Sequence, residues 1–422
     1  MKTISRRNFT LMAGAAAGAT LAMPNLAFGA SARIAVVGGG FGGATAARYL
    51  KRLDRQLNVT LIEANKQFVT CPFSNLVLGG LKTMDNITHG YDGLAKGGVR
   101  VIHATVQGID AGAKRLSLST GSPVLYDKLV LSPGIDLNFG SLPGYDKAVA
   151  ERLPHAWKAG PQTVLLRRQL EAMPDGGTFI MVCPDNPYRC PPGPYERASM
   201  IAHYFKTRKP KSKILLLDAK ESFSKQGLFQ EGWQAVYGKM IEWLPGKAGG
   251  KVTALDAKAM TVKTEFGDHK GAVINVIPQQ TAGEVARAAG FATPAGWCAV
   301  DFATFQSKVD PNVYIVGDAS IAGAMPKSGF SANSQAKVAA LAIVEGLNGR
   351  KTESPAFANT CYSLIAPKYG ISVANVYRVT DKGLVTAEGG GVSPTGAPAQ
   401  FRSQEATYGE GWYESITRDM FG

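Results

Sequence analysis

The chain contains 422 residues, of which 45% are hydrophobic and 18% are charged. This composition can bury a large core, which excludes an intrinsically disordered protein and leaves room for two or three domains. The formal net charge is +14, and the densest basic run lies at residues 206–213. We interpret that run as a solvated connection between a helix and a strand; a docking patch for an acidic partner is the alternative. Because no nucleic-acid-binding motif accompanies the charge, we exclude nucleic acid as a partner.

The amino-terminal segment has the features of an export signal. Arg6 and Arg7 precede an uncharged, Ala/Gly-rich apolar stretch at residues 11–28. A paired arginine before a mildly apolar stretch predicts a twin-arginine signal peptide at residues 1–30 and therefore a periplasmic protein. An uncleaved membrane anchor is the alternative, but Pro24 and the many glycines disfavour a permanent span. We expect no stable membrane anchor after processing.

A dinucleotide-binding loop is predicted directly after this segment. Gly38, Gly40 and Gly43 fit the pattern G-x-G-x-x-G between a predicted strand at residues 33–37 and a predicted helix at residues 44–53. A second strand at residues 58–62 ends at Glu63, twenty residues after Gly43, where a carboxylate would bind the adenosine ribose. The alternative is a glycine-rich turn with an ordinary surface glutamate.

Two later motifs indicate that the dinucleotide is FAD. A predicted strand at residues 127–131 is closed by Ser132, Pro133 and Gly134, where flavoprotein reductases return the chain to the FAD. A predicted strand at residues 313–316 is followed by Gly317 and Asp318, which resembles the second flavin fingerprint of those enzymes, whose Asp binds the ribityl chain. A predicted helix at residues 334–347 follows and would direct its N-terminus toward the flavin pyrimidine.

The second dinucleotide domain of such reductases is predicted without its nicotinamide site. After a predicted strand at residues 178–182, the loop at residues 183–194 is rich in proline where a glycine loop would be required. Prolines lack an N–H group and fix φ, so this loop cannot present a row of amides to a pyrophosphate. The predicted fold is α/β, with two Rossmann-like dinucleotide-binding domains of the disulfide-reductase type and a small C-terminal α+β domain. The predicted limits are an FAD-binding domain at residues 31–145 and 285–350, a second Rossmann-like domain at residues 146–284, and a C-terminal domain at residues 351–422.

The five cysteines predict redox chemistry rather than metal binding. The chain has no C-x-x-C-H motif, so we predict that it holds no c-type haem itself, and no zinc-type pair of C-x-x-C motifs, so we predict no metal site. Cys190, in the proline-rich loop, and Cys361, at the start of the C-terminal domain, are candidates to pair as a structural or as a redox disulfide. Cys71 is expected beside the flavin, and Cys183 and Cys298 are interpreted as structural.

Four segments together resemble one known family. They are residues 70–75 (TCPFSN), 188–197 (YRCPPGPYER), 326–335 (PKSGFSANSQ) and 412–422. The chain resembles the flavoprotein subunit of flavocytochrome c sulfide dehydrogenase over nearly its whole length. The resemblance implies that FAD is attached through a thioether to Cys71, that Cys190 and Cys361 form a redox-active disulfide, and that Glu196 is the catalytic base. It also places Lys327, in the third segment, among the cofactor-binding residues.

The resemblance further implies a reaction and a partner. Sulfide would open the disulfide to a persulfide and a thiolate, two electrons would pass to FAD, and they would leave singly to a c-type cytochrome subunit. For Glu196 an ordinary surface acid beside Arg197 is the alternative. For the whole protein the alternatives are a sulfide:quinone oxidoreductase or a related sulfur-oxidation flavoprotein, a pyridine-nucleotide disulfide reductase, which would need the missing glycine loop, and a non-enzymatic subunit.

Overall fold

The computed structural model describes residues 31–422, and its amino-terminal part forms a parallel sheet. The predicted export signal at residues 1–30 lies outside the described residues. Apolar strands build the sheet because both of its faces are covered by other elements. In spatial order these strands are Val313–Ile315, Lys128–Leu131, Arg33–Val37, Asn58–Ile62 and Arg100–Ile102, all parallel.

A second parallel sheet follows the same rules. Its four strands are Ile241–Leu244, Lys213–Asp218, Thr178–Cys183 and Val273–Val276. Each of the two parallel sheets is accompanied by a three-stranded antiparallel sheet. One comprises Val106–Asp110, Arg115–Leu118 and Val124–Leu125, and the other Val252–Asp256, Thr261–Thr264 and Gly267–Lys270. This repeated arrangement confirms the predicted α/β class with two Rossmann-like units.

Three short strand pairs lie outside the larger sheets, and one of them connects the two units. Ile135–Leu137 pairs antiparallel with Gln280–Ala282, so the chain that leaves the first sheet runs beside the chain that returns from the second. The other two pairs are Gln67–Val69 with Thr88–Gly90 and Cys298–Ala299 with Ser320–Ile321. The return loop after Lys128–Leu131 is therefore held against the second crossover, next to the carboxyl edge of the first sheet.

The helices of the described residues cover these sheets. They are α1 (Phe41–Leu53), α2 (Ser74–Leu78), α3 (Asp92–Lys96), α4 (Pro161–Ala172), α5 (Gly193–Arg208), α6 (Gln226–Tyr237), α7 (Glu284–Ala288), α8 (Gly329–Leu347) and α9 (Ala399–Phe421). Single 3₁₀ turns lie at Asp85–Ile87, Phe139–Ser141, Val149–Glu151, Gly246–Ala248 and Gly317–Ala319. Among residues 31–422, no helix combines the length and the apolar character that a membrane span requires.

Two predicted helix starts were too late. Helix α1 begins at Phe41 rather than at residue 44, and α8 begins at Gly329 rather than at residue 334. The start of α8 is fixed by Ser328, whose hydroxyl accepts a hydrogen bond from the backbone N–H of Ser331 at 3.0 Å. The earlier start matters for the site, because it moves the helix N-terminus closer to the carboxyl edge of the first sheet.

The C-terminal part is α+β but packs against both dinucleotide units. Its antiparallel sheet contains Ala356–Ala366, Tyr369–Thr380, Gly383–Thr386 and Gly391–Val392. Helix α9 crosses back to the first unit, where Asp419 accepts hydrogen bonds from Tyr49 at 2.9 Å and Asn333 at 3.0 Å. The sheet reaches the second unit, where Tyr237 donates to the carbonyl of Ile365 at 2.5 Å. The domain limits predicted from the sequence stay predictions.

Candidate active site

The glycine loop lies at the carboxyl end of the first strand, as a dinucleotide site requires. Gly38 has φ +96°, a left-handed conformation, and a side chain there would collide with the backbone of Ser132. Gly40 caps the N-terminus of α1, whose first turn opens on the loop. A side chain at Gly43 would overlap the carbonyl oxygen of Gly38, so Gly43 permits close packing of the helix on the strand rather than contact with a ligand.

Glu63 is held in place beside this loop. One carboxylate oxygen accepts the backbone N–H of Gly39 at 2.8 Å, and the other accepts the N–H of Asn65 at 2.9 Å. Glu63 lines the same cavity as Gly38 and Gly40. A carboxylate fixed at this strand end matches the predicted ribose-binding role, and it is not an isolated surface glutamate.

Asp318 supplies a buried acceptor further along the cavity. Its Oδ1 atom is buried and has no hydrogen-bond partner among residues 31–422. Burial raises the pKa of Asp318 above its ordinary value. Pro133 and Gly134 line the cavity on the opposite return loop, and Ser328 and Gly329 bring the N-terminus of α8 to it. An unpartnered buried carboxylate needs a donor, and the hydroxyls of a ribityl chain would supply one.

The side chain of Lys327 lies beside the turn that carries Asp318. Its ammonium donates to the backbone carbonyls of Asp318 at 2.7 Å and Ser320 at 2.8 Å, and it lies 3.7 Å from the ring centroid of Trp297. It is not among the residues that line the cavity. The ammonium points away from the cavity because two backbone carbonyls accept its hydrogen bonds and an aromatic ring stabilises its charge inside the protein. The residue therefore supports the Asp318 turn, and its backbone carbonyl accepts the N–H of Cys190 at 2.7 Å.

One cavity joins the dinucleotide loop to three of the cysteines. Its lining includes Gly38, Gly40, Glu63, Cys71, Pro133, Gly134, Cys190, Glu196, Asp318 and Cys361. Cys71 is half-buried, and its thiol donates to the carbonyl of Trp157 at 3.4 Å. The site residues predicted from the sequence thus meet in this cavity, except for Gly43 and Lys327. A set of buried acceptors, a glycine loop and a helix N-terminus along one cavity fits an extended dinucleotide such as FAD.

Cys190 and Cys361 line this cavity as free thiols. Cys190 has φ +59°, in the left-handed region. The thiol of Cys361 lies 3.4 Å from Nδ2 of Asn359. Burial raises the pKa of both thiols, and the neighbouring Cys361 and Glu196 raise that of Cys190 further. The two predicted partners therefore line the same cavity.

The other two cysteines do not line this cavity. Cys183 ends a strand of the second sheet and Cys298 begins a short strand, and both are buried. Burial raises the pKa of each thiol, to about 11 for Cys298, which suppresses thiolate formation. Among residues 31–422, no group of three or more histidine, cysteine, aspartate or glutamate side chains is arranged to hold a metal ion.

Glu196 is a half-buried carboxylate that lines the cavity, which differs from the fully exposed acid of the alternative interpretation. Its Oε2 atom accepts a hydrogen bond from Asn75 at 2.9 Å, and its Oε1 atom accepts the backbone N–H of Leu364 at 3.0 Å. Burial raises its pKa, although both hydrogen bonds act against that rise. Leu364 lies three residues after Cys361, so the carboxylate is fixed to the strand that carries one of the two thiols.

Arg197 and Asn75 hold this corner together. Arg197 is 1% exposed and donates to Asn75 Oδ1 at 3.1 Å, Asn275 Oδ1 at 2.9 Å and the carbonyl of His155 at 3.0 Å. Asn75 therefore bridges Arg197 and Glu196, which avoids a direct ion pair between them. No role was predicted for these two residues; Asn75 lies in the motif at residues 70–75, which was the one available signal.

The corresponding edge of the second sheet is filled by side chains. Asp218 ends a strand and accepts hydrogen bonds from Tyr195 at 2.5 Å, Lys220 at 2.7 Å and Trp243 at 3.1 Å. The ammonium of Lys220 lies 4.9 Å from the ring centroid of Tyr188, which comes from the proline-rich loop. These contacts use the carboxylate that would otherwise bind a nucleotide ribose, and the aromatic rings cover the strand ends.

Three family models match successive parts of this chain. Residues 163–278 match the family model described as the central part of the sulfide dehydrogenase [flavocytochrome c] flavoprotein chain, and residues 353–421 match that of flavocytochrome c sulphide dehydrogenase, flavin-binding. Residues 32–160 match pyridine nucleotide-disulphide oxidoreductase. The chain is 62% identical over 45 residues to the sulfide dehydrogenase [flavocytochrome c] flavoprotein chain of Chlorobaculum thiosulfatiphilum, covering 11% of this chain and 94% of that sequence. The chain belongs to the flavocytochrome c sulfide dehydrogenase flavoprotein family.

Relatives of this flavoprotein family include quinone-linked enzymes. The chain is 24% identical over 307 residues to the mitochondrial sulfide:quinone oxidoreductase of Mus musculus, covering 68% of this chain and 65% of the mouse protein. The structure of the sulfide:quinone oxidoreductase from Aquifex aeolicus superposes with a TM-score of 0.67 at 18% identity, covering 93% of this chain and 92% of that one. Putidaredoxin reductase, in its covalent complex with putidaredoxin, superposes with a TM-score of 0.65 at 17% identity, covering 90% and 94%. These structural likenesses show the shared fold.

Proposed function

We propose that this flavoprotein oxidises sulfide with FAD through a Cys190–Cys361 disulfide and passes the electrons to a c-type cytochrome subunit. Its membership of a sulfide-oxidising oxidoreductase family rests on the comparisons above. The observation that carries the detailed proposal is the meeting of Cys190, Cys361 and Glu196 in the cavity that also contains the dinucleotide loop. A structural disulfide would have no need of a neighbouring carboxylate or of access to that cavity.

In this proposal the FAD is held by groups along the whole cavity. The amides at Gly38 to Gly40 and the N-terminus of α1 would receive the pyrophosphate, Glu63 the ribose hydroxyls, and Asp318 the ribityl chain. Cys71, which lines the cavity, would carry the flavin through a thioether. Acid precipitation tests the bond: yellow colour should remain in the pellet of the wild type and be lost from it in Cys71→Ser.

The chain's own residues account for the sulfur steps. Glu196 would take the proton of incoming hydrogen sulfide, because burial raises the pKa of this carboxylate toward that of an effective base. The resulting hydrosulfide attacks one cysteine sulfur, the S–S bond breaks, and its electron pair leaves as a thiolate on the other cysteine. The reduced pair must lose two electrons for its S–S bond to re-form as the outer sulfur leaves as zero-valent sulfur, and FAD bound in this cavity would supply a two-electron acceptor that can pass electrons on singly.

The electron acceptor separates two candidate functions. A c-type cytochrome is supported by the two matches to flavocytochrome c family models, and haem would belong to that partner chain. A quinone is the second candidate, supported by the 24% identity to the mouse sulfide:quinone oxidoreductase. Sulfide oxidation should be measured with purified protein and either a c-type cytochrome or a soluble ubiquinone analogue. We expect fast cytochrome reduction; fast reduction of the quinone alone would favour the second candidate.

A periplasmic location by the twin-arginine pathway is part of the same proposal. The motivating residues, Arg6 and Arg7, lie in the predicted signal at residues 1–30. Export of a folded protein would allow FAD to be loaded in the cytoplasm. Changing both arginines to lysine should trap the precursor in the cytoplasm, and normal periplasmic accumulation of that variant would contradict this route.

A further inference from the structure

Lys225 is a buried cation directly behind Cys361. It is 7% exposed and adopts a left-handed conformation, with φ +62°, immediately before α6. Its ammonium donates to the carbonyl of Cys361 at 2.8 Å and to the hydroxyl of Ser363 at 2.8 Å. Both of these acceptor oxygens are uncharged. An ammonium has three donors, and burial of a cation on neutral acceptors is costly unless an anion forms nearby.

The surroundings of the two thiols differ in a way that favours an anion at Cys361. The groups that act against the burial-raised pKa of Cys361 are Lys225 first, then the side chains of Asn359 and Ser328. Cys361 and Glu196 raise the pKa of Cys190, and Arg189 lowers it. Glu196 also raises the pKa of Cys361, so the carboxylate disfavours a negative charge on both thiols. A thiolate at Cys361 is thus favoured by one cation and two hydrogen-bonding side chains, whereas a thiolate at Cys190 is favoured by Arg189.

We propose that Lys225 is a positioning residue that stabilises Cys361 as the thiolate and thereby directs the incoming sulfide to Cys190. The inference rests on the proposed function, because it assigns the two sulfurs of that disulfide. Hydrosulfide forms a bond to the Cys190 sulfur, the Cys190–Cys361 bond breaks, and its electron pair leaves on Cys361. Cys190 becomes the persulfide, and the proton from hydrogen sulfide is held by Glu196.

Thiol–disulfide exchange gives the physical reason for this direction. Attack at a disulfide is faster when the departing sulfur is the more stable thiolate, so the cysteine beside a cation is the better leaving group. The groups that face Lys225 are Cys361, Glu196, Cys190 and Glu405. Of these, Glu405 already accepts hydrogen bonds from Ser372 at 2.6 Å and Ser393 at 2.5 Å. The remaining charge partners of Lys225 are Glu196 and the two cysteines.

The first test measures thiolate formation without turnover. The holoenzyme is reduced with dithiothreitol, alkylated with iodoacetamide over a pH series, and analysed by peptide mass spectrometry. In the wild type, Cys361 should react with a lower apparent pKa than Cys190. In Lys225→Met, alkylation of Cys361 at neutral pH should slow by about tenfold, roughly one pKa unit, with Cys190 unchanged. Lys225→Arg should restore the rate, because it keeps the charge and the donors.

A matched control removes another buried lysine of the same unit. Lys220 is 7% exposed and pairs with Asp218, away from the two thiols. Lys220→Met should leave the apparent pKa of Cys361 unchanged. Ser363→Ala removes one acceptor of the Lys225 ammonium but keeps the cation. Alkylation of Cys361 in this variant should therefore keep most of the wild-type rate, and this result can be measured whether or not Lys225→Met folds. If folded Lys225→Met shows unchanged alkylation of Cys361, the proposed role of Lys225 is overturned, and the proposed sulfide oxidation is not affected by that result.

The second test identifies the sulfur that sulfide attacks. The oxidised holoenzyme is exposed briefly to sulfide without oxygen and trapped with an alkylating agent, and the persulfide is located by mass spectrometry. We expect it on Cys190 in the wild type and on both cysteines in Lys225→Met. A persulfide on Cys361 in the wild type would overturn the assignment. Formation on neither cysteine would overturn the disulfide mechanism itself, an outcome distinct from unchanged alkylation.

Discussion

Two ionisable side chains flank the thiols, and burial acts on them in opposite directions. It raises the pKa of Glu196 and lowers that of Lys225 to about 8. The carboxylate must be deprotonated to accept a proton, and the ammonium must be protonated to stabilise a thiolate. The active combination therefore exists only between the raised pKa of Glu196 and the lowered pKa of Lys225.

This pair predicts a pH profile with two separable limbs. The rate of flavin bleaching by sulfide should rise as Glu196 loses its proton and fall above about pH 8, where Lys225 loses its charge. Glu196→Gln should remove the acid limb and slow bleaching by roughly 10²–10⁴-fold, the usual contribution of general base catalysis. Lys225→Arg should shift the alkaline limb upward, because a guanidinium stays protonated.

Stopped-flow spectrophotometry across the pH range measures both limbs. Ionisation of sulfide itself contributes equally to the wild type and to each variant, so the differences between profiles carry the information. An acid limb and a rate that remain unchanged in Glu196→Gln would show that this carboxylate is not the base. An unchanged alkaline limb in Lys225→Arg would show that deprotonation of Lys225 does not cause the fall in rate at high pH.

At the scale of elements, the loop that replaces a nucleotide site decides which reductant the protein can use. Tyr188, from the proline-rich loop, and Tyr195, at the start of α5, cover the end of the second sheet, and Asp218 is already saturated with hydrogen bonds. We predict that neither NADH nor NADPH bleaches the flavin at millimolar concentration. Dithionite should bleach it fully in the same cuvette. Rapid bleaching by either nicotinamide would mean that these side chains move aside to form a nucleotide site.

The glycine loop and helix α8 show which features local sequence can predict and which it cannot. Gly38, Gly40 and Glu63 were identified because a strand, a turn and a helix within a single short segment fix their relative positions. The start of α8 was placed too late, since the cap at Ser328 lies inside a run of small polar residues that has no helical periodicity. Lys327 was assigned to the cofactor from a motif alone, and its side chain turns to backbone carbonyls instead.

At the scale of the whole molecule, the active site exists only because three separate parts of the chain meet. The contact between Lys225 and Cys361 spans 136 positions, and that between Glu196 and Leu364 spans 168. No periodicity or spacing predicts such contacts, so the pairing of Cys190 with Cys361 came from a family resemblance, and Lys225 was not predicted. The long C-terminal strand at Ala356–Ala366 makes these contacts by packing against α5, α6 and α8.

The central claim is that electrons from sulfide reach the flavin through the cysteine pair. The direct test is an anaerobic titration of Cys361→Ser holoenzyme with sulfide, followed by the visible absorbance of the FAD. Cys298→Ser, which alters a buried cysteine outside the cavity, serves as the matched control. The account predicts that Cys361→Ser binds FAD and is bleached by dithionite but not by sulfide, whereas Cys298→Ser is bleached by both. Bleaching of Cys361→Ser by sulfide at a near wild-type rate would contradict it and would indicate direct attack of sulfide on the flavin.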